Sequence, residues 1–236
     1  MRILDNVNKT LLFAREALLP YGNQRQRWAS LRLLHQMWHL LLRLAPLEHN
    51  EGKRPFTRRE QRRQARATLT ALRQALPHLR ALLQADIVAT REIDPAAKDE
   101  TVIALCYPGI EALLAHRIAH ILYTNGTPLL ARMLTEAAHS KTGIDIHPGA
   151  KIGAGCAIDH GTGIVIGETA VLGEGVTIYH GVTLGAKNPK EERGKKRHPT
   201  IGDHVTLYAY ASILGGDTVI SEGASIPSGA RITHSI

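Results

Sequence analysis

Between Gly143 and Ile236 an aliphatic residue returns at every sixth position, with small or polar residues between. Ile146, Ile152 and Ile158 carry the first run, a two-residue slip follows, and Ile166, Leu172, Ile178 and Leu184 resume the beat. After a charged interruption it returns at Ile201, Leu207, Ile213 and Val219, slips by one, and runs on through Ile220, Ile226 and Ile232. A small residue recurs four places on, as at Ala150, Cys156, Ala170, Ala211 and Ala224. A period of six matches neither the 3.6 of a helix nor simple strand alternation. It suits a chain that runs straight, turns and runs straight again, so that three sides close one triangular coil of about eighteen residues, a parallel β-helix. The aliphatic residue of each hexad then points inward and stacks on its equivalent one coil on. A sandwich of short strands fits less well, because its turn signals recur roughly every 8 to 12 residues.

Ahead of the repeat the pattern is helical. Residues 3–18 and 24–45 read as helices, the second with a broad apolar face formed by Leu31, Leu33, Leu34, Trp38, Leu41 and Leu42. Pro20 and Pro46 punctuate them, and residues 47–56 are polar and turn-rich. Thr57 is placed to cap a helix reaching Leu76, with Pro77 beginning or kinking a segment to Ala89. The stretch around Asp94 and Pro95 reads as a loop, in which a carboxylate before proline opens a turn. Two more helices follow, over about 109–123 and 128–140, separated by the turn Thr124-Asn125-Gly126-Thr127. The class is therefore α + β: a helical domain over residues 1–141 followed by a repeat domain over 142–236.

Composition supports the division, since Leu, Ala, Arg and Gln concentrate in the first part and glycine in the second. The net charge is +8, with fourteen arginines before residue 90. The run Arg58, Arg59, Arg62, Arg63, Arg66 lies along one side of a helix with no interleaved aromatics, so a solvated face is expected rather than a nucleic-acid surface. The two cysteines, Cys106 and Cys156, are too few for a disulfide framework or metal cluster and are expected as buried thiols. Glu111, His116 and His120 fall at helical intervals but do not make a full ligand set, and no metal is expected. The N-terminus has no apolar stretch of signal-peptide length, and no 18-residue apolar run occurs, so a cytoplasmic protein without a membrane partner is expected.

Chemistry gathers where the beat fails. His160 follows Asp145 by fifteen residues, and with coils of about eighteen the two are expected on neighbouring coils on one side of the prism, a carboxylate holding an imidazole as general base. The two-residue slip directly after His160 marks a distorted coil. The interruption over 186–200 has no inward-pointing aliphatic residue and must leave the prism as an exposed arm. Lys187, Lys190, Arg193, Lys195, Lys196, Arg197 and His198 make that arm basic, suited to carboxylates or phosphates, although a merely solvated loop would carry the same charges.

The runs DIHPGAKIG, IDHGTGIVIGETA, GVTLGA, KRHPTIGD and ILGGDTVI closely resemble the serine O-acetyltransferases of the bacterial hexapeptide-repeat acyltransferases. The likeness is strong from Asp94 to Ile236 and general in character before that. It implies a left-handed coil, trimers that pair into hexamers through the helical domains, and transfer of acetyl from acetyl-CoA to the hydroxyl of L-serine, the first step of cysteine biosynthesis. By the same resemblance His160 is the general base oriented by Asp145, and His198 is a second active-site histidine. Arg197 then receives the serine carboxylate, Asp94 and Asp159 hold its ammonium group, and Glu168 lies nearby. The pantetheine arm of CoA would run along the backbone near Gly185, Ala209 and Ala211, with Lys187 or Lys196 meeting its phosphates. The chain stops soon after its last hexad, so weak or absent association with O-acetylserine sulfhydrylase is expected. Two alternatives remain: a related acyltransferase acting on homoserine, a sugar or an amine, and a non-catalytic trimer that binds polyanions.

Overall fold

The computed structural model describes residues 2–19, 23–48, 56–97, 99–188 and 194–236. Pro20, most of the polar stretch after Leu47, and Lys190 and Arg193 of the arm lie outside them. Helices α1 (Arg2–Leu18) and α2 (Asn23–Leu44) pack on one another. Helix α3 (Arg58–Ile93) opens with a capping box: the Glu60 N–H donates to the Thr57 hydroxyl, and the Thr57 N–H donates to Glu60 Oε2 at 2.8 Å. It then runs on through Pro77, where the sequence predicts a break. Pro77 lies on the exposed side, so the carbonyl it leaves without a partner faces solvent, while Leu72, Leu76, Leu79 and Leu83 stay buried along the other side. Packing of that stripe, about 1.5–3 kcal/mol for each leucine buried, outweighs the local cost of the proline.

A short helix, α4 (Glu100–Cys106), occupies ground that the sequence reads as loop; the Asp99 carboxylate caps it by accepting the Thr101 N–H at 2.8 Å. Cys106 at its end is exposed, not buried as expected, whereas Cys156 inside the prism is buried and its thiol is pushed up to about 12 by burial. Helices α5 (Pro108–Thr124) and α6 (Pro128–Thr142) complete the helical layer. No single helix among the described residues is long and apolar enough to cross a membrane.

The rest of the described chain is a three-sided parallel prism. Strands β1 (Asp145–Ile146), β4 (Val165–Ile166), β7 (Thr183–Gly185), β10 (Ser212–Leu214) and β13 (Arg231–Ile232) form one face, called here the first. Strands β2 (Lys151–Ile152), β5 (Val171–Leu172), β8 (Thr200–Ile201) and β11 (Val219–Ile220) form the second. Strands β3 (Ala157–Asp159), β6 (Thr177–Tyr179), β9 (Thr206–Leu207) and β12 (Ser225–Ile226) form the third. Every pairing is parallel, and the register carries each irregularity of the repeat. Asp145 pairs with Val165, twenty residues on; Val165 with Thr183, eighteen on; Thr183 with Ser212, twenty-nine on; Ser212 with Arg231, nineteen on. The slip after Ile158, the arm and the slip at Val219 are thus extra residues held outside a coil of eighteen. Ile146, Ile166, Leu184 and Ile213 stack along the inside of the first face.

Two hydrophobic cores meet at α5. Ile110, Leu114, Ile118 and Leu122 face the helical core, while Ala112 and Leu113 belong to the prism core. Beneath them a buried ion pair ties helix to coil. Arg117 donates from Nε and Nη2 to the two oxygens of Asp86 at 2.7 Å each, and from its Nη atoms to the carbonyls of Ile152 and Gly153. Asp86 also accepts the Cys156 N–H at 3.0 Å. Strand β3 is thereby fixed against α3, whose end carries Asp94. Gly109 allows α5 to approach the same strand, since a Cβ there would lie 2.6 Å from the Ile158 carbonyl.

Candidate active site

The sequence-predicted residues collect at two corners of the prism, on either side of the first face. The corner between the third and first faces holds Asp159 and His160. His160 sits in left-handed backbone, φ 58°, unusual for a residue other than glycine and imposed by the two-residue insertion that follows β3. Its imidazole is 71% exposed and its Nε2 lies 3.8 Å from Asp159 Oδ2. Its ring also meets that of His180 edge-on, and His180 in turn meets Tyr210.

Asp94 comes to this corner from the helical layer. It caps the end of α3 and accepts the Ala96 N–H through Oδ1, while the Tyr107 hydroxyl donates to Oδ2 at 2.5 Å. That bond is the main reason the Asp94 carboxyl lies below its ordinary range, with the Ala96 N–H and the His160 ring adding to it. The same bond pushes the Tyr107 phenol up to about 12. Two carboxylates and an imidazole therefore stand together, with Asp94 ionised near neutrality. Tyr107 went unnoticed in the sequence; its only signal there is its place between an apolar helix and Pro108.

Asp145 does not join them. The spacing of fifteen residues falls short of the twenty in this coil, so Asp145 leads β1 on the next face round, and no hydrogen bond links it to His160 among the described residues. Its Oδ1 lies 3.6 Å from an Arg132 Nη, and Arg132 also pairs with Glu136. Glu136, His139 and Asp145 bring three ligand-type atoms within 4.8 Å of one another, but the Arg132 guanidinium already serves as the cation of that cluster. The other metal-type grouping also comes apart: Glu111 accepts from Lys141, His120 Nδ1 meets the Pro148 carbonyl, and His116 is buried.

The second corner, between the first and second faces, holds the end of the arm. Arg197 donates from Nη2 to Glu168 Oε2 at 3.1 Å, and the Tyr123 hydroxyl donates to Glu168 Oε1 at 2.8 Å. Burial pushes the Glu168 carboxyl up, yet Tyr123, His147 and Arg197 outweigh it and hold the group below its ordinary range. The Nε of Arg197 is buried and has no hydrogen-bond partner among the described residues. His198 is buried, and its pKa is pushed down to about 4 by burial and then by the neighbouring Arg197. Gly167 leaves room for its ring, because a Cβ there would fall 2.0 Å from His198 Cδ2.

The residues expected along the cofactor are already engaged. Lys187 Nζ is 2.7 Å from Asp217 Oδ1, and Lys196 Nζ donates to the carbonyls of Thr169, His198 and Pro199. Both ammonium groups tie the arm to the prism. Ala211 is buried with its N–H donating to the Tyr208 carbonyl, and the carbonyls of Gly185 and Ala209 accept from Gly215 and Gly229, so these positions are part of the turn ladder.

A three-sided coil built from six-residue repeats, carrying a corner histidine, paired acids and a basic arm, defines a hexapeptide-repeat protein. No family model matches the chain. It is 47% identical over 172 residues to a plasmid-encoded serine acetyltransferase of Synechococcus elongatus, covering 70% of this chain and 54% of that one. With a serine acetyltransferase of Bacillus subtilis it shares 44% identity over 155 residues, covering 66% of this chain and 70% of the relative. The crystal structure of serine acetyltransferase isoform 3 from Entamoeba histolytica in complex with cysteine superposes with a TM-score of 0.73 at 35% identity, covering 96% of this chain and 79% of that one. The chain belongs to the serine acetyltransferase family. It spans about half the length of the first curated relatives it matches.

Proposed function

We propose that this chain transfers the acetyl group of acetyl-CoA to the hydroxyl of L-serine, giving O-acetyl-L-serine and CoA in the cytoplasm. The observation that carries the choice of acceptor is the Arg197 guanidinium, partly exposed and bonded to Glu168 through Nη2 alone. Such a fork is suited to a carboxylate. Asp94 and Asp159 supply the complementary negative charge for an ammonium group, and His160 lies between that charge and solvent. An amino acid fits this pattern better than a sugar does.

His160 takes the proton from the serine hydroxyl as its oxygen attacks the thioester carbonyl carbon. The tetrahedral species then collapses, the carbon–sulfur bond breaks, and the same imidazole returns the proton to the departing thiolate. No acyl-enzyme is required. Acetyl-CoA is a co-substrate, and every acid–base step here uses side chains.

Within one chain the two corners flank a whole face of the prism, and His160 is largely exposed. This supports assembly as a trimer, in which one copy supplies Asp94, Asp159 and His160 and a neighbour supplies Arg197 and His198; the left-handed sense of the coil is proposed from the family resemblance alone. Asp145 would complete its pair with a histidine in that assembly, and the helical layer would pair trimers into hexamers. A thiol-release assay with acetyl-CoA and L-serine, L-homoserine or glucosamine tests the acceptor. Turnover with serine at least tenfold above the other two is expected, and a preference for glucosamine overturns the proposal.

A further inference from the structure

Thr169 was not among the predicted site residues, yet each of its polar atoms holds the arm. Its carbonyl accepts from Lys196 Nζ at 2.8 Å. Its hydroxyl oxygen accepts the N–H groups of Arg197 and His198, both at 3.0 Å. Its own N–H donates to His198 Nδ1 at 3.1 Å, and the hydroxyl also stands 2.9 Å from that nitrogen. A hydroxyl has one proton and two acceptor lone pairs. With both lone pairs engaged by backbone N–H groups, its proton has one acceptor within reach, His198 Nδ1. That nitrogen therefore faces two donors and has no room for a proton of its own.

We propose that Thr169 is a positioning residue that fixes His198 as the neutral tautomer protonated on Nε2, so that His198 serves as a hydrogen-bond donor and never as a second base. The geometry enforces this from several sides. Gly167 lies directly against the ring, and Lys196 ties the carbonyls of Thr169, His198 and Pro199 together, which holds the backbone of the arm over Thr169. Burial and the Arg197 charge act in the same direction by disfavouring the imidazolium. One catalytic base at the His160 corner and one neutral donor beside the Arg197 guanidinium divide the labour between the two histidines. The donor's role towards substrate rests on the acetyl-transfer proposal; its tautomer does not.

The test is nitrogen-15 NMR of the imidazole side chains, with the His198 signals assigned by their loss in His198→Gln, on the wild-type protein, Thr169→Val and Thr169→Ser. In the wild type Nε2 is expected protonated and Nδ1 bare from pH 8 down to about pH 5. In Thr169→Val the backbone N–H still reaches Nδ1 and burial and Arg197 still disfavour the imidazolium, so the protonation midpoint of His198 should rise only part of the way from about 4, and kcat/KM for serine should fall about tenfold, the cost of about one net hydrogen bond. Thr169→Ser should restore both. A wild-type His198 protonated on Nδ1, or charged at pH 6.5, overturns the proposal even if the valine variant fails to fold. An unchanged His198 spectrum in a folded Thr169→Val also overturns it. Absence of serine-dependent turnover in the wild type would instead refute the activity, leaving the tautomer result to be judged on its own.

Discussion

Replacing Asp86 with leucine removes the anion from a pair whose side chains are 0% and 4% exposed. Arg117 would keep its bonds to the carbonyls of Ile152 and Gly153 but lose both carboxylate bonds, and the Cys156 N–H would lose its acceptor. A buried guanidinium left without its counter-charge costs about 3–5 kcal/mol. For a chain of this size that corresponds to a fall in Tm of roughly 6–20 °C, at about 2–4 °C per kcal/mol. Thermal unfolding followed by circular dichroism reads the shift directly. The double variant Asp86→Leu with Arg117→Met leaves no buried charge and should recover part of the loss, the remainder being the lost partners of the Ile152 and Gly153 carbonyls and the Cys156 N–H. A Tm within about 2 °C of wild type for the single variant would refute the reasoning. So would a double variant no more stable than the single one, which would show that the cost comes from packing.

Gly167→Ala should displace the His198 ring, lower kcat/KM for serine by at least tenfold and lower Tm by several degrees, the cost of overpacking against a buried ring; a crystal structure with the ring unmoved would contradict this. Acid should destabilise the fold between about pH 6.5 and pH 4, because buried His116 and His198 are held neutral when folded and take up protons when unfolded. Urea midpoints should therefore fall as pH drops through that window, and His198→Gln should flatten the slope. His160→Ala and Arg197→Ala, each inactive alone, should recover about a quarter of wild-type activity when co-expressed in equal amounts, if each site draws on two copies. Failure of any mixture to exceed its parents would place the site within one chain.

The prism was legible because a hexad beat has one geometric solution, and even its slips at Ile158 and Val219 appear in the register as two and one extra residues. Arg197, His198, Asp94 and Asp159 were singled out through motif, and the fold places the two acids at one corner and Arg197 and His198 at another. No hydrogen bond joins Asp145 to His160 among the described residues, because fifteen residues fall short of one turn of the coil and leave the two on either side of a corner. Asp86 and Arg117 look like ordinary solvated positions in a charged helix, and their pairing across thirty-one residues depends on how α3 and α5 pack. Thr169 occupies a corner where any small polar residue fits the repeat. Only the arm's return across it reveals what its hydroxyl does.

Acetyl transfer itself is tested most directly by the initial rate of free-thiol release from acetyl-CoA, measured with and without L-serine for the wild type and for His160→Ala. Serine-dependent release by the wild type, reduced about 10²–10⁴-fold in the variant as expected for loss of a general base, is the predicted result. Wild-type release that does not depend on serine, or a variant that turns over serine at the wild-type rate, would contradict it.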